Sequence, residues 1–292
     1  MPTLTPESLA AVFVQPYPDG HFEGAAAAHL RALGAKRRCV VLAFPPKAAG
    51  TFFRAAIIDA VDGQLVRTAH ALGGRDATPY LPTFISYFSG NLAAEPMVAH
   101  MHMQALPANL NFLEAFDIRP VVMTRNIPDM LASYWDMLES DPQARMDGLN
   151  CLIPENFIEM SLGMKADFLV DILGPWYASF FASWFCYAAR RPERVCILRY
   201  REFREKPVET LMRAVAHAGL ARPREVCRAA FDAAWDARRE CRFNKGEEGR
   251  GARYFTPEHI ARLRRMLGAY SNLAPHMDEL LSFEEEAFAQ AV

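Results

Sequence analysis

At 292 residues the chain can bury one large core, and a single α/β domain accounts for that length without a second unit. Its 32 basic and 34 acidic residues leave a formal net charge of −2, which excludes the overall electrostatic pull of a nucleic-acid binder. Six cysteines (Cys39, Cys151, Cys186, Cys196, Cys227, Cys241) show neither CxxC pairing nor metal-ligand spacing, so a disulfide scaffold is excluded and a reducing, cytoplasmic setting is expected.

Residues 1–36 read as an N-terminal extension packed on a domain spanning 37–292. The stretch Met1 to Ala10 is polar around Glu7 and carries no signal peptide pattern. Arg38–Phe44 is an apolar strand, and Phe52–Ala60 a helix-like stretch after Pro45-Pro46-Lys47-Ala48-Ala49-Gly50-Thr51. Such a strand–turn–helix junction aims backbone N–H groups and the positive end of a helix at an anion. Pro96–His100 is a short strand that brings His100 and, two residues on along the same alternating face, His102. Pro107–Phe116 is a helix and Pro120–Thr124 a strand. Pro128–Leu138 is a helix with proline in a favourable first position. Arg125 and Ser133 stand eight positions apart at that second strand–helix junction. Two anion sites, each at the end of a strand, imply a nucleotide with two separate phosphate groups.

Glu139 to Pro154 reads as a loop. The apolar run Phe168 to Ala189 is broken by Asp171 and by Gly174-Pro175, so it reads as a buried helix and not as a membrane span, which needs ~20 uninterrupted apolar residues. Its aromatics Trp176, Tyr177, Phe180, Phe181, Trp184 and Phe185 are read first as core, second as the wall of an acceptor pocket. Tyr80, Tyr87 and Phe88 lie in a segment able to cap a site. Arg194–Arg199 is a further strand, followed by helices at Pro207–Ala218, Arg222–Asp236 and Pro257–Ala269. Apolar strands alternating with helices predict a central parallel sheet covered by helices on both faces. In such a sheet the ligand lies outside the carboxyl ends of the strands, where Lys47, His102 and Arg125 fall.

These motifs resemble those of the sulfotransferases that use 3′-phosphoadenosine 5′-phosphosulfate (PAPS). Pro46-Lys47-Ala48-Ala49-Gly50-Thr51-Phe52 is similar to that family's Pro-Lys-Ser-Gly-Thr-Thr-Trp loop, which binds the 5′-phosphosulfate. Arg125, Asn126, Asp129 and Ser133-Tyr134 reproduce the block that binds the 3′-phosphate. Phe243-Asn244-Lys245-Gly246, then Gly249 and Phe255-Thr256, resemble the third block. The chain departs from the pattern in having Ala49 where glycine is usual and Gly50 where a threonine is usual, so one loop hydroxyl is missing. Asn244 also replaces an arginine, leaving Arg242 and Lys245 to share its role.

The resemblance implies a P-loop-like sulfotransferase architecture and transfer of a sulfuryl group from PAPS, as co-substrate and without a metal, to a hydroxyl of a small acceptor. An alcohol, phenol, sugar or lipid fits that description. His102, 23 residues before Arg125, takes the family's base position; His100 is its partner or the alternative base. Lys47 stabilises charge on the leaving 5′-phosphate. Ala48, Ala49, Gly50, Thr51 and Phe52 line the cofactor, Arg125 and Ser133 grip the 3′-phosphate, and Tyr200 contacts the adenine. Phe243, Asn244, Lys245 and Gly246 complete the cofactor site. Two other readings stay open. A P-loop-type kinase lacks support in a GxxxxGK[ST] motif, and a non-catalytic PAPS-fold binding protein has no need of Lys47 and a histidine together.

Overall fold

A computed structural model describes residues 28, 30–32, 34, 38–66, 78–79, 84, 87–88, 96–147, 151–238 and 248–282. Five strands form one parallel sheet. In chain order they are β1 (Cys39–Ala43), β2 (Gln64–Leu65), β3 (Met97–Met101), β4 (Val121–Thr124) and β5 (Cys196–Arg199), and across the sheet they run β2-β3-β1-β4-β5. Every residue of β1, β3 and β4 is buried, which requires cover on both faces of the sheet. Apolar runs without polar alternation predict that burial, and the expected α/β fold with a central parallel sheet is what forms.

Topology explains where a ligand belongs. After β1 the chain builds β2 and β3 on one side, then crosses to place β4 and β5 on the other. The carboxyl ends of β1 and β4 therefore feed connections that part in opposite directions, and such a switch point opens a crevice. Ala43, at the end of β1, lies opposite Met101 of β3 and Val122 of β4. The segments that follow these three ends begin at Phe44, His102 and Arg125.

The first helices in chain order are α1 (Gly50–Val61), α2 (Pro107–Ala115), α3 (Ile127–Ser140) and α4 (Pro142–Asp147). The last lies inside the segment expected to be a loop. Pro142 supplies a preset φ at its first position and the Asp141 carboxylate accepts from Gln143 N at 3.0 Å, so local capping outweighs the absence of an apolar pattern. Then come α5 (Leu162–Phe168), a π turn (Leu169–Leu173) and α6 (Gly174–Arg190). Pro175 has no N–H to donate to Asp171 and its ring crowds that carbonyl; the π turn absorbs the misfit without ending the helix. A Cβ on Gly174 would come within 2.9 Å of Leu263, so the glycine lets α10 (Pro257–Gly268) pack closely against α6. Between them run α7 (Tyr200–Glu205), α8 (Pro207–His217) and α9 (Arg224–Asp236), and α11 (Met277–Leu280) closes the described chain.

The aromatic run on α6 is core. Phe180, Phe181 and Trp184 are fully buried, and Trp184 donates its indole N–H to the Met103 carbonyl at 3.0 Å. Phe88 is also core, Tyr87 packs against it, and Tyr80 lies outside the described residues. Most of the 1–36 segment is likewise outside them, but Leu30 is buried in the core. Among the described residues no helix is long and apolar enough to cross a membrane.

Candidate active site

The turn after β1 is held in an unfavourable backbone conformation. Lys47 and Ala49 have φ of 66° and 61°, the left-handed region that costs a non-glycine residue roughly 1–2 kcal/mol each. Ala49 caps α1 with no side-chain hydrogen bond. The strain persists because four residues from three other parts of the chain grip the turn. Tyr177 on α6 donates its hydroxyl to the Pro46 carbonyl at 3.0 Å. Arg125 donates through Nη1 to the Lys47 carbonyl at 2.6 Å. Nδ1 of His102 lies 2.7 Å from the Phe44 carbonyl. His100 fills the space beside Gly50, where an added Cβ would lie 2.2 Å from its Nε2. Glycine stands at 50 for room, and the left-handed position at 49 is left to alanine.

Burial holds the Tyr177 hydroxyl well above the usual phenol range; Tyr134 adds to this and Arg125 opposes it. The group therefore stays a protonated donor to Pro46. A carbonyl can only accept, so Nδ1 of His102 carries a proton, and in the neutral ring the lone pair then sits on Nε2. That tautomer is the one a general base needs.

The turn after β4 is built differently. Asn126 caps α3 by accepting from Asp129 N at 3.0 Å and donates to Ser282 at 2.7 Å. Thr124 donates to Glu279 at 2.5 Å, and Arg199 pairs with the same carboxylate at 3.1 Å. Asp129 accepts from Gly249 N at 3.0 Å and Gly251 N at 2.9 Å, which fastens the middle of the third block to the start of α3. Gly251 is required there, because a Cβ would meet Pro128 at 2.4 Å. Arg250 forms a buried ion pair with Asp136 on the same helix.

Arg125 joins the two turns. Besides its bond to Lys47, its guanidinium lies 4.1 Å over the Tyr200 ring. Ser133 is buried on α3 one turn before Met137, whose sulfur lies 3.5 Å from Lys47 Nζ. Lys47, Arg125, His100 and His102 thus meet around the turn after β1, and Ser133 lies on α3 one turn from the Met137 that touches Lys47. Tyr200, expected at a strand end, opens helix α7 and is buried beneath Arg125. Phe52 is buried among Phe203, Phe231 and Trp235, with ring centroids 5.6–6.2 Å away. Phe243, Asn244, Lys245 and Gly246, with Arg242, lie outside the described residues.

Three contributors are not evident from the sequence: Tyr177 as a tether of the first turn, Asp129 as a double acceptor, and Trp235. Trp235 is 41% exposed, stacks on Phe231 one helical turn away and meets Phe52 edge-on, with the Arg238 guanidinium 4.8 Å over its ring. Only the spacing of Phe231 and Trp235 on one face of α9 signals that pair.

No family model and no curated relative matches the chain. Solved structures do. A mouse sulfotransferase, SULT7A1, complexed with PAP is 14% identical with a TM-score of 0.57, covering 87% of this chain and 92% of that one. Retinol dehydratase in complex with androsterone and the inactive cofactor PAP is 11% identical with a TM-score of 0.49, covering 81% and 80%. At these identities the likeness lies in the fold. The chain has the α/β sulfotransferase fold.

Proposed function

We propose that the protein is a PAPS-dependent sulfotransferase acting on a hydroxyl of a small molecule. One observation carries the reading: the Arg125–Lys47 hydrogen bond makes the two strand-end turns a single site, suited to a nucleotide with anionic groups at both its 5′ and 3′ positions. The residues present fit such a co-substrate. The first turn leads into the N-terminus of α1, and the planar donors of Arg125 match a phosphate in a way that lysine cannot. Lys245 and Asn244 belong to the same grip by resemblance.

When bound, the co-substrate supplies the sulfuryl group. Nε2 of His102 takes the proton of the acceptor hydroxyl as its oxygen attacks. Lys47 meets the negative charge that grows on the departing 5′-phosphate oxygen. Ser133 and Arg125 hold the 3′ end, where no charge changes. Positioning and charge stabilisation are what an in-line transfer of this kind asks of a protein. A cytoplasmic protein working on an alcohol, phenol, sugar or lipid is the setting that agrees with the sequence.

The test is transfer of label from ³⁵S-PAPS to a panel of hydroxylated small molecules, with ATP and Mg²⁺ as the control donor. Labelled product from PAPS supports the reading. Phosphorylated product from ATP alone would replace it with the kinase alternative. Tight nucleotide binding without any transfer would leave a binding protein.

A further inference from the structure

Gly50 opens α1 directly after the strained Ala49. A Cβ there would lie 2.2 Å from Nε2 and 2.4 Å from Cε1 of His100, distances that real atoms do not reach. One edge of the His100 ring therefore occupies the volume a side chain at position 50 would take. His100 is buried and sits within β3 opposite Leu42, so sheet register holds it there and not a mobile loop. Its ring meets Phe44 edge-on at 6.1 Å and His102 at 5.3 Å.

The chemistry of the turn gives that placement a consequence. From Ala48 to Phe52 only Thr51 carries a hydroxyl, and Ala48, Ala49 and Gly50 offer no side-chain donor at all. A nitrogen brought through the gap at Gly50 reaches the N-terminus of α1, whose backbone N–H groups suit an anion. We infer that His100 is a binding residue for the anionic 5′ end of the nucleotide, its Nε2–H replacing the missing loop hydroxyl, and that His102 alone serves as base. The inference rests on the sulfuryl-transfer reading and deepens it by giving the two histidines separate tasks. His100 makes and breaks no covalent bond; it contributes one hydrogen bond to a charged group.

Calorimetric binding of PAP and of adenosine 3′-monophosphate, which lacks the 5′-phosphate, tests this on the full chain. His100→Phe keeps the ring's shape without a donor. It should weaken PAP binding about tenfold and leave adenosine 3′-monophosphate within about twofold of wild type. His100→Ala should show the same selective loss. Adding Gly50→Ser to His100→Ala returns a hydroxyl to the loop in the space the ring vacated, and should recover most of the lost PAP affinity. Equal weakening of both nucleotides in His100→Phe would mean that the ring only supports the fold. Unchanged PAP affinity with collapsed turnover would make His100 the base. Either result overturns the inference. A wild-type chain that ignores PAP would overturn the parent reading as well, and it is told apart because no variant is needed to see it.

Discussion

The two turns at the carboxyl edge of the sheet do the same geometric job by opposite means. The turn after β1 places Lys47 and Ala49 at positive φ, lacks a side-chain cap, and keeps its shape because Tyr177, Arg125, His100 and His102 press on it from outside. The turn after β4 is capped by its own Asn126, and Asp129 and Ser282 tie it to flanking backbone. Backbone strain of order 1–3 kcal/mol per residue survives only where surroundings over-determine it, and such places cluster at reacting centres. In the proposed reaction the strained turn faces the group whose charge changes, and the capped turn faces the group whose charge does not.

That contrast is open to experiment, and the largest effect belongs to the first turn. Lys47→Ala should lower kcat by ~10²–10³ even at saturating PAPS, since the ammonium acts on charge that develops in the transition state. Arg125→Ala should instead raise the KM for PAPS by about tenfold or more, the worth of a hydrogen bond to a charged group, with a smaller change in kcat. Steady-state kinetics with any working acceptor separates the two. A reversed pattern would exchange the roles of the turns.

A smaller effect measures the strain itself. Ala49→Gly should stabilise the fold by up to ~1 kcal/mol, because glycine adopts positive φ freely while losing more entropy on folding. A lower urea midpoint for that variant would mean that the turn is not strained. The smallest effect concerns pH and the second turn. His276 stacks on Phe185 at 3.7 Å, in the C-terminal segment that supplies Glu279 and Ser282. Burial holds its pKa below 6.5. The unfolded chain then binds more protons than the folded one as pH falls through that value, so the contribution of this stack is present above it and lost below it. The urea midpoint should decline from about pH 7.5 to about pH 5.5, less so in His276→Phe. Equal decline in both would assign the effect elsewhere.

The strands of the core were readable because β1 is an unbroken apolar run and β3 and β4 are apolar but for His100 and Thr124, and short apolar runs bounded by polar turns are what a parallel sheet demands. β2 was not, since Gln64 and Leu65 are exposed and form no run. α7 was hidden because Tyr200 continues the β-like pattern of Arg194–Arg199, and α4 because its signal is a cap and a proline. Within the site, Lys47, His102 and Arg125 were legible as residues following strands. Contacts between distant segments were not. Tyr177 reaches Pro46 across 131 positions, and Asp129 reaches Gly251 across 122. The glycine displaced from 49 to 50 looked like a defect in the motif until β3 register put the His100 ring against it.

The central claim is that two anion sites in one crevice bind a nucleotide carrying phosphate at both ends. Thermal unfolding with PAP and with AMP at equal concentration tests it most directly, since AMP lacks only the 3′-phosphate. A ligand at about 100 times its dissociation constant adds about 2.7 kcal/mol to stability. PAP should therefore raise the Tm by several degrees and AMP by far less, with Arg125→Ala abolishing the difference. Equal shifts from PAP and AMP, or a shift only with ATP and Mg²⁺, would contradict the account.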